Sequence, residues 1–266
     1  MTILNGTKIA KRIKAGLAQT IKKQRLMPGL AVILVGRDPG SLVYIKLKEK
    51  AAGQLGIKFK KFTLPAKTSQ KKLTTLIQKL NRTRSVHGII VQLPLPGHLK
   101  PVNIIAAINP RKDVDGFRSG SAFISPTHQG VLKLLEATGK NLKGKIAVIL
   151  AKNPVFANPL SNLLKKRGIK VSVEVSPPQT KKADILIVAL GRPNFIKPEM
   201  VKKNSIIIDV GYTRANGRPM GDVSPEVVEK TGYLSPVPGG VGPLTVAYLL
   251  KNVYLSAKRA LQNSKK

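Results

Sequence analysis

Tyr44 and Lys48 stand four residues apart within Ser41 to Gly53, a stretch that reads as a helix ending at a glycine, so their side chains share one face. A phenol and an amine held together can do proton chemistry. The phenol polarises a reacting group, and the amine serves as general acid or base once its pKa falls. The same pair also occurs on many solvated helices, where it does nothing. Gln92 closes the apolar run Gly88 to Gln92, at the carboxyl edge of an expected strand, where α/β folds gather ligands. Pro94 and Pro96 stiffen the exit from that strand. In Lys112-Asp113-Val114-Asp115-Gly116-Phe117, two carboxylates two residues apart in an extended loop point to opposite sides. A turn in which Asp side chains bond the local backbone is the simpler account. Ser235 to Pro243 holds three Gly and three Pro just before a helix, a fixed backbone whose N–H groups suit a phosphate or a carboxamide.

Strands alternating with helices must position these residues. Ile9, Ile13, Leu17 and Ile21 mark one face of a helix over Lys8 to Gln24. Leu30 to Val35 reads as a buried strand between Pro28-Gly29 and Gly36, and Phe59 to Phe62 as a second. Helices are expected over Lys71 to Leu80, Asn103 to Ile108 and Gly130 to Thr138. Further strands are expected at Ile146 to Leu150, Lys170 to Val175, Asp184 to Leu190 and Ser205 to Val210, with a helix at Asn158 to Lys166. A long helix, Pro243 to Leu261, ends the pattern. The alternation predicts an α/β chain with parallel sheets in two domains. Residues 1–120 form a catalytic domain to which 246–266 return, and residues 121–245 form a reduced Rossmann-like domain.

Composition narrows the class. Hydrophobic residues make up 42% of the 266, enough for packed cores and too many for a disordered chain. With no Cys, disulfides and thiolate metal sites are excluded, and the three His lack metal-ligand spacing, so no metal is expected. The amino terminus lacks the apolar run of a signal peptide, and no stretch approaches the length of a membrane helix, which predicts a cytoplasmic protein off the membrane. The 47 Lys and Arg against 12 Asp and Glu give a net charge of +35. That balance admits a nucleic-acid binder. Spread along the whole chain and without a nucleic-acid motif, it reads better as a Lys-rich solvent surface that favours polyanionic ligands.

The series YIKLK at 44–48, VQLPLP at 91–96, KDVDGF at 112–117 and PVPGGVGPLT at 236–245 closely resembles the methylenetetrahydrofolate dehydrogenase/cyclohydrolase family, and the resemblance covers nearly the whole chain. It implies oxidation of 5,10-methylenetetrahydrofolate with NADP, or NAD, and hydrolysis of the methenyl product to 10-formyltetrahydrofolate. It further implies a tetrahydrofolate substrate, a role in purine biosynthesis and a homodimer. Carried over residue by residue, Lys48 is the central catalytic group and Gln92 hydrogen-bonds it. Tyr44 aligns the folate, Asp115 holds the pterin, and Pro238, Gly239 and Gly240 border the substrate. Lys152, Asn153, Gly191 and Gly211 fall to the cofactor, while Asp113 is structural. A cleft without a nearby carboxylate is expected to depress the Lys48 pKa.

The nucleotide half departs from the family pattern. Where G-R-S-x-x-V-G-x-P is usual, Ala151 to Pro159 reads AKNPVFANP, with Ala at both Gly positions. A Cβ there is expected to block the pyrophosphate, whereas Lys152 leans toward NADP. The family's C-H-S-x-T segment gives way to Glu174-Val175-Ser176-Pro177-Pro178, and only Gln179 to Lys182 precede the next strand, so a short helix is expected to be lost. After Asp209-Val210-Gly211, Tyr212-Thr213 replaces the usual Ile-Asn. A cyclohydrolase with weakened dehydrogenase activity is therefore the alternative enzyme, and a basic nucleic-acid-binding protein the alternative of another class.

Overall fold

The structure, a computed structural model, describes residues 1–176, 179–215 and 218–263. Pro177 and Pro178 of the altered segment, and the last three residues of the returning terminus, lie outside the described residues. The chain runs β1 (Thr2–Ile3), α1 (Gly6–Lys23), β2 (Gly29–Val35), α2 (Pro39–Gln54), β3 (Lys58–Leu64) and α3 (Gln70–Arg82). It continues through β4 (Gly88–Val91), α4 (Pro101–Ala106), α5 (Pro126–Glu136), β5 (Ile146–Ala151), α6 (Pro154–Lys165) and β6 (Lys170–Glu174). Then come β7 (Ile185–Ala189), β8 (Ile206–Asp209), β9 (Thr213–Ala215), β10 (Arg218–Met220), β11 (Tyr233–Leu234) and α7 (Val241–Asn263). Every expected helix and strand is present, most with ends shifted by a few residues.

Two compact units result. One comprises Ala10–Pro126 with Val246–Lys266, the other Met1–Ile9 with Thr127–Thr245. In the first, β3, β2 and β4 form a parallel sheet with β2 at its centre. Every residue of β2 is buried, which is why Leu30 to Val35 carries no polar alternation. Leu30, Val32 and Leu34 face a core shared with Leu17, Ile21, Ile45, Leu249, Leu250 and Val253, so α1, α2 and the second part of α7 cover one side. Ala31, Ile33 and Val35 face Leu73, Ile77 and Ile104 of α3 and α4 on the other. Burying each such Leu or Ile is worth roughly 1.5–3 kcal/mol. The terminal helix thus returns to the first unit from Val246 onward.

The other unit holds a six-stranded parallel sheet, ordered β1-β11-β8-β7-β5-β6. Residues 1–9, expected in the first domain, belong here: β1 adds to β11, with Thr2 opposite Tyr233 and Ile3 opposite Leu234. Two-residue strands carry no periodicity, so nothing in the sequence announces either. Among the described residues between β6 and β7 the one helical element is a 3₁₀ turn, Thr180–Lys182. Because β6 and β7 flank β5 on opposite sides, the carboxyl ends of β5 and β7 make a topological switch point, the place where such sheets bind ligands.

Candidate active site

Lys48 lies on the buried side of α2, only 7% exposed, with Tyr44 one turn before it and partly buried. Two features fix the helix. The Asp38 carboxylate caps its amino end by accepting from the Ser41 N–H at 2.7 Å, and Pro39 opens it. The Ser41 hydroxyl then donates to the Leu93 carbonyl at 3.3 Å, tying the helix to the VQLPLP segment. Gln92 leaves β4 with its own N–H on the Ile33 carbonyl at 2.9 Å. Its side-chain amide donates to the Leu93 carbonyl at 2.8 Å, so its Oε1 turns to Lys48, whose Nζ donates to it at 3.0 Å. A neutral acceptor satisfies the amine without neutralising a charge. Burial therefore lowers the Lys48 pKa below the ordinary lysine value, while the nearby Asp115 carboxylate pulls it back up. That corrects the expectation of a cleft without a carboxylate.

The KDVDGF loop separates its two carboxylates by function. Asp113, 1% exposed, accepts from the N–H groups of Gly116 at 3.2 Å and Arg118 at 2.9 Å, which holds the turn. Asp115 is partly exposed, and burial raises its pKa while Lys48 opposes the rise. The other five Asp carboxylates, Asp38, Asp113, Asp184, Asp209 and Asp222, each accept at least one backbone N–H. Among the described residues the Asp115 carboxylate accepts no hydrogen bond from the protein, which leaves it available to a ligand. Asn252 of α7 holds the loop, donating to the carbonyls of Val114 at 2.9 Å and Ile124 at 3.1 Å.

In the other unit, Lys152 and Asn153 leave β5 exposed at the switch point. The helix α6 starts at Pro154, four residues before the expected Asn158, and Asn153 is its cap. Ala151 and Ala157, the two Ala of the expected block, are 2% and 1% exposed. What differs is the supply of donors. Pro154 has no N–H, the Val155 N–H goes to Asn153 Oδ1 at 2.9 Å, and the Phe156 N–H goes to the Asn153 carbonyl at 3.1 Å. His128 adds a contact at 2.9 Å between its Nε2 and the Phe156 carbonyl.

Beyond β7, Gly191 is exposed at φ +67°, and a Cβ there would meet open space. Gly211, by contrast, is buried against the Asp222 carboxylate, with its N–H on Asp209 Oδ1 at 2.9 Å. Pro238, Gly239 and Gly240 belong to this same unit and not to that of Lys48. The Gly239 carbonyl accepts from the Thr7 N–H at 2.9 Å. Asn252 and Asp222 carry no spacing or motif that marks them as functional in the sequence. A polar Asn amid the apolar residues of the terminal helix was the available signal for the first, and for the second a carboxylate in a chain with so few.

Fold and site together define an α/β protein with a buried lysine centre in one unit and a dinucleotide-type switch point in the other. Residues 4–115 match the tetrahydrofolate dehydrogenase/cyclohydrolase catalytic domain and residues 125–261 its NAD(P)-binding domain; the chain belongs to this family. It is 41% identical to the bifunctional protein FolD of Halothermothrix orenii, over 96% of this chain and 98% of that one. Among solved structures it resembles the Campylobacter jejuni bifunctional FolD methylenetetrahydrofolate dehydrogenase/cyclohydrolase, with TM-score 0.92, 41% identity, and 97% and 99% of the two chains covered. The Trypanosoma brucei enzyme, complexed with NADP and an inhibitor, matches with TM-score 0.92 and 32% identity over 98% of each chain. A dinucleotide fits the crevice here by place and charge: the edge is cationic at Lys152 and open at Gly191. The first turn of α6, however, has no unengaged N–H for its phosphates.

Proposed function

We propose that this chain oxidises 5,10-methylenetetrahydrofolate with NADP, NAD being the alternative, and hydrolyses the methenyl product to 10-formyltetrahydrofolate at a centre made by Lys48, Gln92, Tyr44 and Asp115. The observation that carries this reading is a buried amine held by a neutral amide, beside a carboxylate that, among the described residues, accepts no hydrogen bond from the protein. Asp115 suits the aminopyrimidinone edge of a pterin, which a carboxylate meets with two parallel hydrogen bonds. Tyr44 aligns the ring above it.

For hydrolysis, the methenyl group is itself a cation, which disfavours an ammonium beside it and adds to the effect of burial on Lys48. The neutral amine accepts a proton from water as the water oxygen bonds to the methenyl carbon. The adduct then loses its hydroxyl proton to solvent, the carbon–N5 bond breaks, and Lys48 returns the first proton to N5. Gln92 Oε1 keeps the amine oriented throughout. For oxidation, a bound dinucleotide supplies the hydride acceptor. Lys152 and the backbone N–H of Asn153 would hold its phosphates, with Lys152 favouring a 2′-phosphate, and Gly191 would admit it closely. We place the protein in the cytoplasm as a homodimer that supplies one-carbon units to purine biosynthesis.

A second reading, a cyclohydrolase with weakened dehydrogenase, is favoured by the engaged donors of α6. Purified protein with 5,10-methylenetetrahydrofolate and either NADP or NAD, followed by reduced-nicotinamide absorbance, separates the two. Turnover with one dinucleotide supports the bifunctional enzyme. No turnover with either, while added methenyltetrahydrofolate is still hydrolysed, supports the second reading.

A further inference from the structure

We infer that Asp222 is a positioning residue for the dinucleotide: it holds the loop 190–192, at the carboxyl end of β7, in the shape that borders the crevice. This rests on the reading of that crevice as the NADP site. Asp222 is completely buried, and one carboxylate accepts three successive backbone N–H groups, those of Leu190, Gly191 and Arg192, all within 3.0 Å. Three donors on one carboxylate fix the path of the loop far more tightly than a turn would alone, because each is a charge-assisted bond in a dry setting. The next residues are tied to the same segment. Asn194 N–H reaches the Gly221 carbonyl at 3.0 Å, and Ile196 N–H reaches the Asp222 carbonyl at 2.9 Å.

Asp222 is itself held by a second buried carboxylate. Asp209, at the end of β8, accepts from the N–H groups of Gly211 at 2.9 Å, Asp222 at 3.2 Å and Val223 at 3.0 Å. Its own N–H donates to the Ser235 hydroxyl at 2.8 Å. Two glycines make room reciprocally: a Cβ on Gly211 would run into the Asp222 carboxyl, and one on Gly221 into the Asp209 carboxyl. A chain with 12 acidic residues and a net charge of +35 thus commits two of its six Asp to this one loop. The arrangement matters more here because the first turn of α6, the other edge of the crevice, has spent its donors internally. Precise placement of Gly191 and Arg192 then decides how much of the dinucleotide the crevice can still engage.

The test is Asp222→Asn, which keeps the volume but turns an amide NH₂ toward N–H groups. We expect the calorimetric Kd for NADP to rise by about tenfold or more, the scale of one lost charge-assisted bond. Hydrogen exchange at residues 190–192 should accelerate. Hydrolysis of methenyltetrahydrofolate, whose proton-transfer groups Lys48 and Gln92 lie in the other unit, should stay within about twofold. Ser235→Ala removes only the hydroxyl that accepts from Asp209 and should raise the Kd by a smaller factor, roughly two to three, even if Asp222→Asn does not fold. An unchanged Kd in whichever variant folds, or a Kd that rises only in parallel with lost hydrolysis, overturns the proposal. Wild-type protein that binds neither NADP nor NAD overturns the oxidoreductase reading itself, and the positioning role with it.

Discussion

The balance at Lys48 is between burial, which lowers its pKa, and Asp115, which raises it. Replacing Asp115 with Asn removes the upward pull, so the neutral amine is populated at lower pH. The rising limb of the hydrolysis pH profile should move to lower pH in Asp115→Asn, and the KM for the folate should rise severalfold as the pterin contact is lost; a limb that moves upward would contradict this assignment of charges. Asp209 makes the opposite case. Burial, reinforced by Asp222, raises its pKa to about 7, far above the value of an exposed carboxyl. A carboxyl whose folded pKa exceeds its unfolded one stabilises the fold fully below about 4, and that contribution is lost as pH climbs toward 7. The loss is at most about 1.4 kcal/mol per pH unit. The wild-type melting temperature is expected to fall between pH 4 and 7, and Asp209→Asn should flatten that fall; an unchanged slope would assign it elsewhere. Tyr44 and Lys48 are legible in the sequence from helical spacing and Gln92 from a strand end, while Asp115, in a loop, is set apart from Asp113 only by the family resemblance. Asn252 and Asp222 are not legible, since their partners lie 138 and 32 residues away.

At the scale of elements, α6 shows how one cap changes a binding edge. Asn153 Oδ1 takes the Val155 N–H that would otherwise face the crevice. Asn153→Gly frees that donor at a cost of only a few tenths of a kcal/mol in helix stability. NADP should then bind about two- to fivefold more tightly, the yield of one partly solvated hydrogen bond. Weaker binding would instead show that the Asn153 side chain holds the phosphates directly. The early start of this helix is hidden in the sequence because Ala-Lys-Asn-Pro reads equally as a loop, although Asn followed by Pro also marks a helix beginning. The central strands were plain for the opposite reason: full burial of β2 and burial of most of β5 and β7 write uninterrupted apolar runs into the chain. The short strands β1 and β11 owe their existence to each other and to β8, a relation that local sequence cannot express.

For the whole molecule, 47 cations face 12 carboxylates, and those of Asp113, Asp209 and Asp222 are buried and not spread over the surface. Most cations therefore repel one another without compensation. Salt should stabilise the protein: moving from about 50 mM to about 500 mM sodium chloride shortens the Debye length to roughly 4 Å and should raise the melting temperature by several degrees. A melting temperature that falls with salt would point to surface ion pairs as the net stabilisers. The same charge predicts weak, sequence-blind retention on nucleic acid that disappears as salt rises; retention that survives physiological salt would favour a nucleic-acid partner. The central claim is that chemistry on the folate runs through the Lys48 amine, and it is tested most directly by hydrolysis of 5,10-methenyltetrahydrofolate in Lys48→Met beside the wild type. Met fills the buried stem without the amine. Loss of about a hundredfold or more in rate, with the fold and folate binding retained, is the predicted result. Hydrolysis at the wild-type rate would contradict the account.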